Sequence, residues 1–425
     1  MGVINKFFGR FKLAADPVVT TQSVAVVEVQ DTNTSIVLKP NGTGGIIASV
    51  PDGTATGGNA RGSYSVDLQT SRTAADQVAG QTRDVITGGA NNKISANFDG
   101  YRFVGGGYQN TITAAGYSVI TGGGYNSING SGTSFNVISG GVLNNINGYA
   151  VTISGGASNT ATSNYSVVSG GQSNTASTNT HATVVGGLSN VASGPYSTVG
   201  GRSNTVSGDS AACFGSFSSA TSNDSFSFGT YCNATALRSF AQGQNATANA
   251  QYSRAMGYYA LGYLYGQTTI ANGLFSSQSD AQQSLLTARK LDILTTAATT
   301  VLSLDGTGTT NLIIPNGNNR AWNVQIDTIA VVTAITGTAT GVTVGDCYRE
   351  TKQLLFKRIG GTSSIVGTVD TSAIKSDSGM STASITISAG GSQQMAITFT
   401  GPTFAGGGSV TCRVVSKVML VEVAY

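Results

Sequence analysis

Apolar and polar positions in this chain alternate around glycine with a fixed phase. From Gly88 onward the recurring unit is an apolar residue, one spacer, Gly-Gly, two residues, Asn, one residue, then Ile, Val or Ala. Ile120-Thr121-Gly122-Gly123-Gly124-Tyr125-Asn126-Ser127-Ile128 and Val168-Ser169-Gly170-Gly171-Gln172-Ser173-Asn174-Thr175-Ala176 are two copies. Apolar residues on either side of a turn predict short strands with one face inward. Gly-Gly supplies a corner that a side chain would resist. The leading glycines are Gly88, Gly106, Gly122, Gly140, Gly155, Gly170, Gly186, Gly200, Gly215, Gly229, Gly243 and Gly257, spaced by 14 to 18 residues. A fixed period of this kind predicts a solenoid, one turn per repeat. Twelve such rungs at ~4.8 Å give a shaft of roughly 55–60 Å. The Asn of each turn either bonds its own backbone or stacks as a ladder with its copies.

After Gly200 the spacing settles to 14 and the wording changes to Ser225-Phe226-Ser227-Phe228-Gly229, Ser239-Phe240-Ala241-Gln242-Gly243 and Ser253-Arg254-Ala255-Met256-Gly257. Small residues (Ala234, Ala246, Ala260) follow these glycines and predict tight packing, either inside the coil or against a neighbouring chain.

The rest of the chain divides around the repeats. Residues 1–16 form a basic and aromatic head, and residues 17–84 a β-rich adaptor with a strand-like run at Val24-Ala25-Val26-Val27-Glu28-Val29. One helix candidate lies at 65–79. Residues 85–262 are the repeat shaft. Residues 263–290 read as a connector in which 279–291 is a short helix or an extended segment. From 291 to 425 the pattern is strand after strand, including Val301-Leu302-Ser303-Leu304, Asn311-Leu312-Ile313-Ile314, Trp322-Asn323-Val324-Gln325-Ile326 and 418–423. Seven or more short strands of this kind predict an antiparallel β-sandwich, jelly-roll-like, of about 130 residues. The fold class is therefore all-β.

Only 10% of residues are charged and the net charge is +3, which excludes a basic field for nucleic acid. No Lys, Arg, Asp or Glu occurs between Arg102 and Arg202. Like charges stacked every ~4.8 Å would repel, so a regular stack favours uncharged polar residues. Cys213, Cys232, Cys347 and Cys412 lack metal-type spacing and read as buried free thiols. No run of ~18 apolar residues suits a membrane helix, and the head lacks the unbroken apolar core of a secretion signal. The whole chain is expected to be the mature protein, assembled in a host cytoplasm.

The Ser-x-Ala/Ser-x-Gly spacing over 210–262 resembles the head repeat of trimeric autotransporter adhesins. The resemblance implies three parallel β-rolls around one axis. The longer Gly-Gly-x-x-Asn repeats resemble those of bacteriophage tail fibres and related virion proteins. So do the stretch Pro51-Asp52-Gly53-Thr54 through Gly57-Gly58-Asn59-Ala60-Arg61-Gly62 and the pattern Leu312-Ile313-Ile314-Pro315-Asn316 with Trp322-Asn323-Val324. A bacterial adhesin would carry a signal peptide and a membrane anchor, and neither is read here. The closing strand 418–425 is read as a sandwich edge.

The resemblance implies a homotrimeric virion fibre, on the tail or on the capsid surface. Another virion protein would hold its N-terminus, and its tip would meet a host-surface glycan or protein. Val3, Ile4, Phe7, Phe8 and Phe11 fall at helical spacing with Lys6, Arg10 and Lys12 flanking, an amphipathic plug for a virion socket.

Enzymatic activity is not expected, and no catalytic, cofactor or metal residues are assigned. A glycan-depolymerising spike needs two carboxylates around the scissile bond. Asp84, Asp99, Asp209 and Asp224 read as isolated, solvated acids, although a subunit groove could pair Asp209 with Asp224 of the next chain. Asp346 with Glu350, beside Tyr348 and Arg349, and Asp370 with Asp377 around a Ser/Thr loop read as surface loops. His181 lacks an orienting partner and reads as an exposed loop residue. Tyr258, Tyr259, Tyr263 and Tyr265 read as packing where roll meets tip rather than as sugar platforms.

Overall fold

The computed structural model describes residues 42–95, 100–113, 116–130, 135–178, 180–308, 319–390 and 394–424. The head with Val3, Ile4, Phe7, Phe8 and Phe11, the run at 24–29, Asp99, and the stretch Leu312-Ile313-Ile314-Pro315-Asn316 lie outside the described residues. The chain forms two compact units, Met1–Ala150 and Val151–Tyr425, and the described residues of both build all-β structure.

In the first unit each complete turn of the coil contributes two strands of two residues. Val85–Ile86, Phe103–Val104, Val119–Ile120 and Val137–Ile138 stack in parallel as one ladder. Lys93–Ile94, Thr111–Ile112, Ser127–Ile128 and Asn145–Ile146 stack as the other. The second residue of every strand points inward, so Ile86, Ile120 and Ile138 face Ile94, Ile128 and Ile146 in a bore closed to solvent. The stack already includes Ile46–Ile47 and Val66–Asp67. The helix expected at 65–79 is replaced by that short strand and a series of turns. Ser71 and Ala79 bridge in parallel to Ala90 and Ile94, so the segment is drawn into the coil.

Two interior ion-paired groups correct the reading of solvated acids. Asp84 and Arg102 occupy the position just before the first strand of successive turns, and their side chains pair at 2.8 Å with no exposure. Asp67, fully buried, pairs with Arg61 at 2.9 Å and Arg72 at 3.2 Å. Opposite charges on neighbouring rungs attract where like charges would repel.

The second unit repeats the coil on a smaller bore. Its inward positions pass from Val168, Val184 and Val199 to Cys213, Ser227, Ala241 and Ala255 on one ladder. On the other they are mostly alanine (Ala176, Ala192, Ala220, Ala234, Ala248). Interiors fill to near-crystal density, so a turn of 14 residues accommodates Ala and Ser where turns of 16 to 18 hold isoleucine. This assigns the small residues to the coil's own interior: Ala234, Ala246 and Ala260 belong to one buried cluster with Ala241, Ala248 and Ala255.

The asparagines do both things the sequence allowed. Asn174 Nδ2 donates to Gly170 O in its own turn and to Gly187 O in the next, both at 2.9 Å. Its Oδ1 accepts from Asn190 N at 3.0 Å. The ladder runs through Asn159, Asn174, Asn190 and Asn204 and passes to Ser218 and then Cys232, whose backbone N–H bonds Ser218 Oγ.

Beyond Thr268–Asn272, the last parallel strand, the same sheet continues antiparallel. Ala281–Leu294 pairs with it, followed across the sheet by Ser409–Ala424, Arg320–Thr336, Cys347–Ile359 and Thr362–Ser376. A second sheet of Thr299–Val301, Gln394–Thr400 and Ser384–Gly390 covers one face. Trp322, Phe356 and Leu420 from the first sheet and Phe399, Ile397 and Ile385 from the second fill the core between them.

The expected antiparallel region is thus present, with differences of detail. Its main strands are 13 to 17 residues long rather than short. Segment 279–291 is extended, because Gln282, Ser284, Leu286 and Ala288 alternate inward at period two. The Ser/Thr stretch after Asp370 belongs to the strand Thr362–Ser376 rather than to a loop. The closing strand is central rather than an edge, since it pairs on both sides, with Ala281–Leu294 and with Arg320–Thr336.

Candidate functional site

The outward side of the coil in the second unit is where sequence and packing disagree most. Strand residues that alternate with the bore face solvent, and many of them are large and apolar. Phe214, Phe228, Gln242, Met256 and Ile270 fall in one register column. Ala212, Phe226, Phe240, Arg254 and Thr268 form the adjoining one, and Leu285 continues it onto the next strand. Val185 is 52% exposed, Phe228 50%, Ile270 48% and Leu285 41%. Phe226 and Phe240 stack at 5.6 Å and 3°. Arg254 is the sole charge on these columns between Thr198 and Leu285, and no carboxylate lies on them. Large apolar side chains gathered in register on an outward face are the usual mark of an interaction surface. Its sequence signal was the Phe-x-Phe-Gly wording, in which the residue before glycine points out as the one two places earlier does.

The acids resolve into separate roles. Asp209 and Asp224 lie on adjacent turns of one chain, with Asp224 N donating to Asp209 O at 2.8 Å. They meet without a subunit groove, on the outside of a corner where Arg238 bonds Asp224 at 3.3 Å and Ser210 bonds Asp209 at 2.8 Å. Glu350 is buried, not on a surface loop. Its carboxylate accepts from Tyr348 Oη, from Ile385 N at 2.9 Å and from Lys352 Nζ at 2.8 Å, tying the two sheets together. Burial, reinforced by that carboxylate, holds the Tyr348 hydroxyl above the ordinary phenol range. Asp346 caps a turn at Thr343, and Asp377 accepts from Cys347 N at 2.8 Å.

His181 is exposed as expected, but it is not alone. It stacks between Tyr165 and Tyr196 at 5.0 and 4.9 Å, each at 14°, all three at left-handed corners with φ of 55°, 62° and 52° for Tyr165, His181 and Tyr196. The stack covers both faces of the His181 ring, while Tyr165 and Tyr196 stay 49% and 60% exposed. Tyr263 and Tyr265 pack against the core of the two sheets, in keeping with the packing reading. Cys213, Cys232 and Cys412 are buried and Cys347 half-buried. Burial pushes the Cys213 thiol up to about 12 and Cys412 to about 11. Among the described residues no group of three or more His, Cys, Asp or Glu is placed to hold a metal ion.

No family model matches the chain, and no curated protein matches it. Solved structures similar to it include two phage tailspike proteins. One is the crystal structure of the Acinetobacter baumannii phage AM24 tailspike protein, 8% identical with a TM-score of 0.23, covering 87% of this chain and 68% of that one. The other is that of the Acinetobacter phage vB_ApiP_P1 tailspike protein, 9% identical with a TM-score of 0.23, covering 90% of this chain and 80% of that one. Both are named as tailspike proteins, and the expectation that enzymatic activity is absent is not kept.

Proposed function

We propose that the chain is a fibre-like component of a phage tail, assembled as a homotrimer. In this reading residues 1–16 engage another virion protein through Val3, Ile4, Phe7, Phe8 and Phe11. The antiparallel sheets after residue 281 meet a glycan or protein on the host surface. The observation that supports assembly is the exposed apolar face through Phe214, Phe228, Met256 and Ile270. A copy related by an axis parallel to the coil places each rung level with its own counterpart, so column meets column row by row. The faces carry no carboxylate, and this register brings Arg254, their one cation, level with its own copies. The long Arg254 stem can lie along the apolar face with its head in water. Weak contact at one tip is then multiplied by the copies that engage together.

Sedimentation equilibrium tests the assembly. The wild-type chain is expected at three times its monomer mass, and Phe228→Asp at monomer mass with its β-sheet circular dichroism retained. A monomeric wild type removes the reading. Labelled antibody against the chain tests the placement, which requires decoration of tail structures rather than of capsids.

A further inference from the structure

The large antiparallel sheet of the second unit is covered on one face, by the sheet of Thr299–Val301, Gln394–Thr400 and Ser384–Gly390. On its other face the strand residues that alternate with the core point outward. One register row there crosses four strands and consists of Arg289, Val415, Ile329 and Arg349. Arg413 and Lys417 stand two residues to either side of Val415 on its own strand, and therefore on the same face. Four exposed cations thus ring an aliphatic pair, Val415 and Ile329, which are 40% and 51% exposed.

Little within the chain answers this charge. Asp327 is the one carboxylate on the rows that these residues occupy. It is engaged by neutral donors, Thr351 Oγ1 at 2.8 Å and Gln325 Nε2 at 3.2 Å. Arg289 Nη2 donates to the backbone carbonyl of Asp305 at 3.2 Å. Among the described residues Arg349, Arg413 and Lys417 make no ion pair. A chain with only 22 Lys and Arg in 425 residues gathers four of them here, where a merely solvated face would mix both signs.

The arrangement narrows the partner. Strands lie ~4.8 Å apart, which sets the backbones of Arg289 and Arg349 about 14 Å apart, too far to converge on one phosphate. No aromatic ring stands on these rows, either for a base to stack on or to anchor in a lipid interface. A second copy would set four cations against four. An apolar centre within an arginine-rich rim is instead the anatomy of a contact between different proteins, and guanidinium forks match carboxylates in geometry.

We propose that this patch docks an acidic protein face, one that presents Asp and Glu carboxylates around an apolar centre. Carboxylates engage Arg349, Arg413 and Lys417, and an aliphatic side chain covers Val415 and Ile329. The proposal rests on the reading that these sheets meet a partner, but not on the homotrimer, since a single chain carries the whole patch.

The test is retention of the full-length chain on immobilised peptides in which Glu alternates with Leu. Comparison peptides carry Gln in place of Glu, or Ser in place of Leu, and phosphatidylglycerol vesicles and duplex DNA serve as other polyanions. Wild type is expected to bind the Glu–Leu peptides at least about tenfold more tightly than either comparison peptide. The double variant Arg349→Gln, Arg413→Gln is expected to lose about tenfold in that affinity with unchanged melting, and Arg238→Gln, on a corner of the coil, to lose nothing. Four results would overturn the proposal: no retention on Glu–Leu peptides, equal retention on either comparison peptide, tighter binding to the vesicles or to DNA, or undiminished retention of the double variant. None of them alters the sedimentation result, so the assembly stands or falls separately.

Discussion

Gly200 and Gly201 are adjacent and differ in what a methyl group would meet. At Gly201, where φ is +107°, an added Cβ would sit 2.1 Å from Gly215 O in the next turn. At Gly200 it would sit 3.3 Å from the Phe214 ring, and φ there is not in the left-handed region. The second glycine of each pair therefore lets neighbouring turns approach, and the first is needed only where its own φ is positive, as at Gly186. This explains why Phe214, Phe228, Gln242 and Met256 replace the first glycine in later turns while the second persists. It also corrects the phase of the repeat. Gly201 stands level with Gly215, so the constant interval of 14 starts at Gly187 rather than after Gly200. Val185 forms the bulge at which the longer turn gives way. Gly201→Ala is expected to destabilise by about 3 kcal/mol, and Gly200→Ala by less than about 1 kcal/mol. Equal melting temperatures for the two would refute this division of labour. The sequence made the glycines legible but not their order of importance, because the deciding contact is with another turn.

At the scale of elements, the turn into Ala281–Leu294 is set by one carboxylate. Asp280 accepts from the backbone N–H groups of Phe275, Ser276 and Ser277 at 2.8, 2.5 and 2.7 Å. Burial alone would push this carboxyl up, but the three donors together hold it below its ordinary value. A depressed folded-state pKa contributes stability that is complete above the unfolded value of about 3.9 and is lost as pH falls through the folded one. Glu422 opposes it. Burial raises that carboxyl against the pull of Arg320, so protonation relieves the folded state there. Asp280→Asn is therefore expected to flatten the loss of thermal stability below about pH 4 and to lower the melting temperature at neutral pH. A wild-type acid limb unchanged in the variant would exclude Asp280 as its source. The alternation at Gln282, Ser284, Leu286 and Ala288 was present in the sequence, but the Ala-Arg-Lys-Leu wording of the segment also suits a helix. Pairing with a strand more than a hundred residues away decided between them. The exposed Phe columns were equally readable as positions but not as a surface, since their neighbours come from turns 14 residues distant.

On the scale of the molecule, the antiparallel strands from residue 281 onward close the open edge of the second unit's coil. A parallel stack ends in a strand whose outer N–H and C=O groups are unpaired, a template for another copy. Here Thr268–Asn272 is covered by Ala281–Leu294, pairing Thr268 with Leu285 and Ile270 with Gln283. That strand is in turn locked by Ser409–Ala424 along 14 register pairs. The long antiparallel strands thus do for the coil what a capping repeat does elsewhere, and any surface they present outward is held on a rigid base. The glycine beat made the repeat visible, whereas its termination was hidden in strands that read as a separate sandwich. A chain ending after residue 276 removes the cover but leaves every turn of the coil intact. It is expected to associate end to end through the bared Thr268–Asn272 edge, with light scattering that rises with concentration. Adding Pro at Ile270, which deletes an N–H from that edge, should suppress the association. If the truncated chain stayed monodisperse at concentrations where the full chain does, the antiparallel sheets would not be serving as the coil's cap.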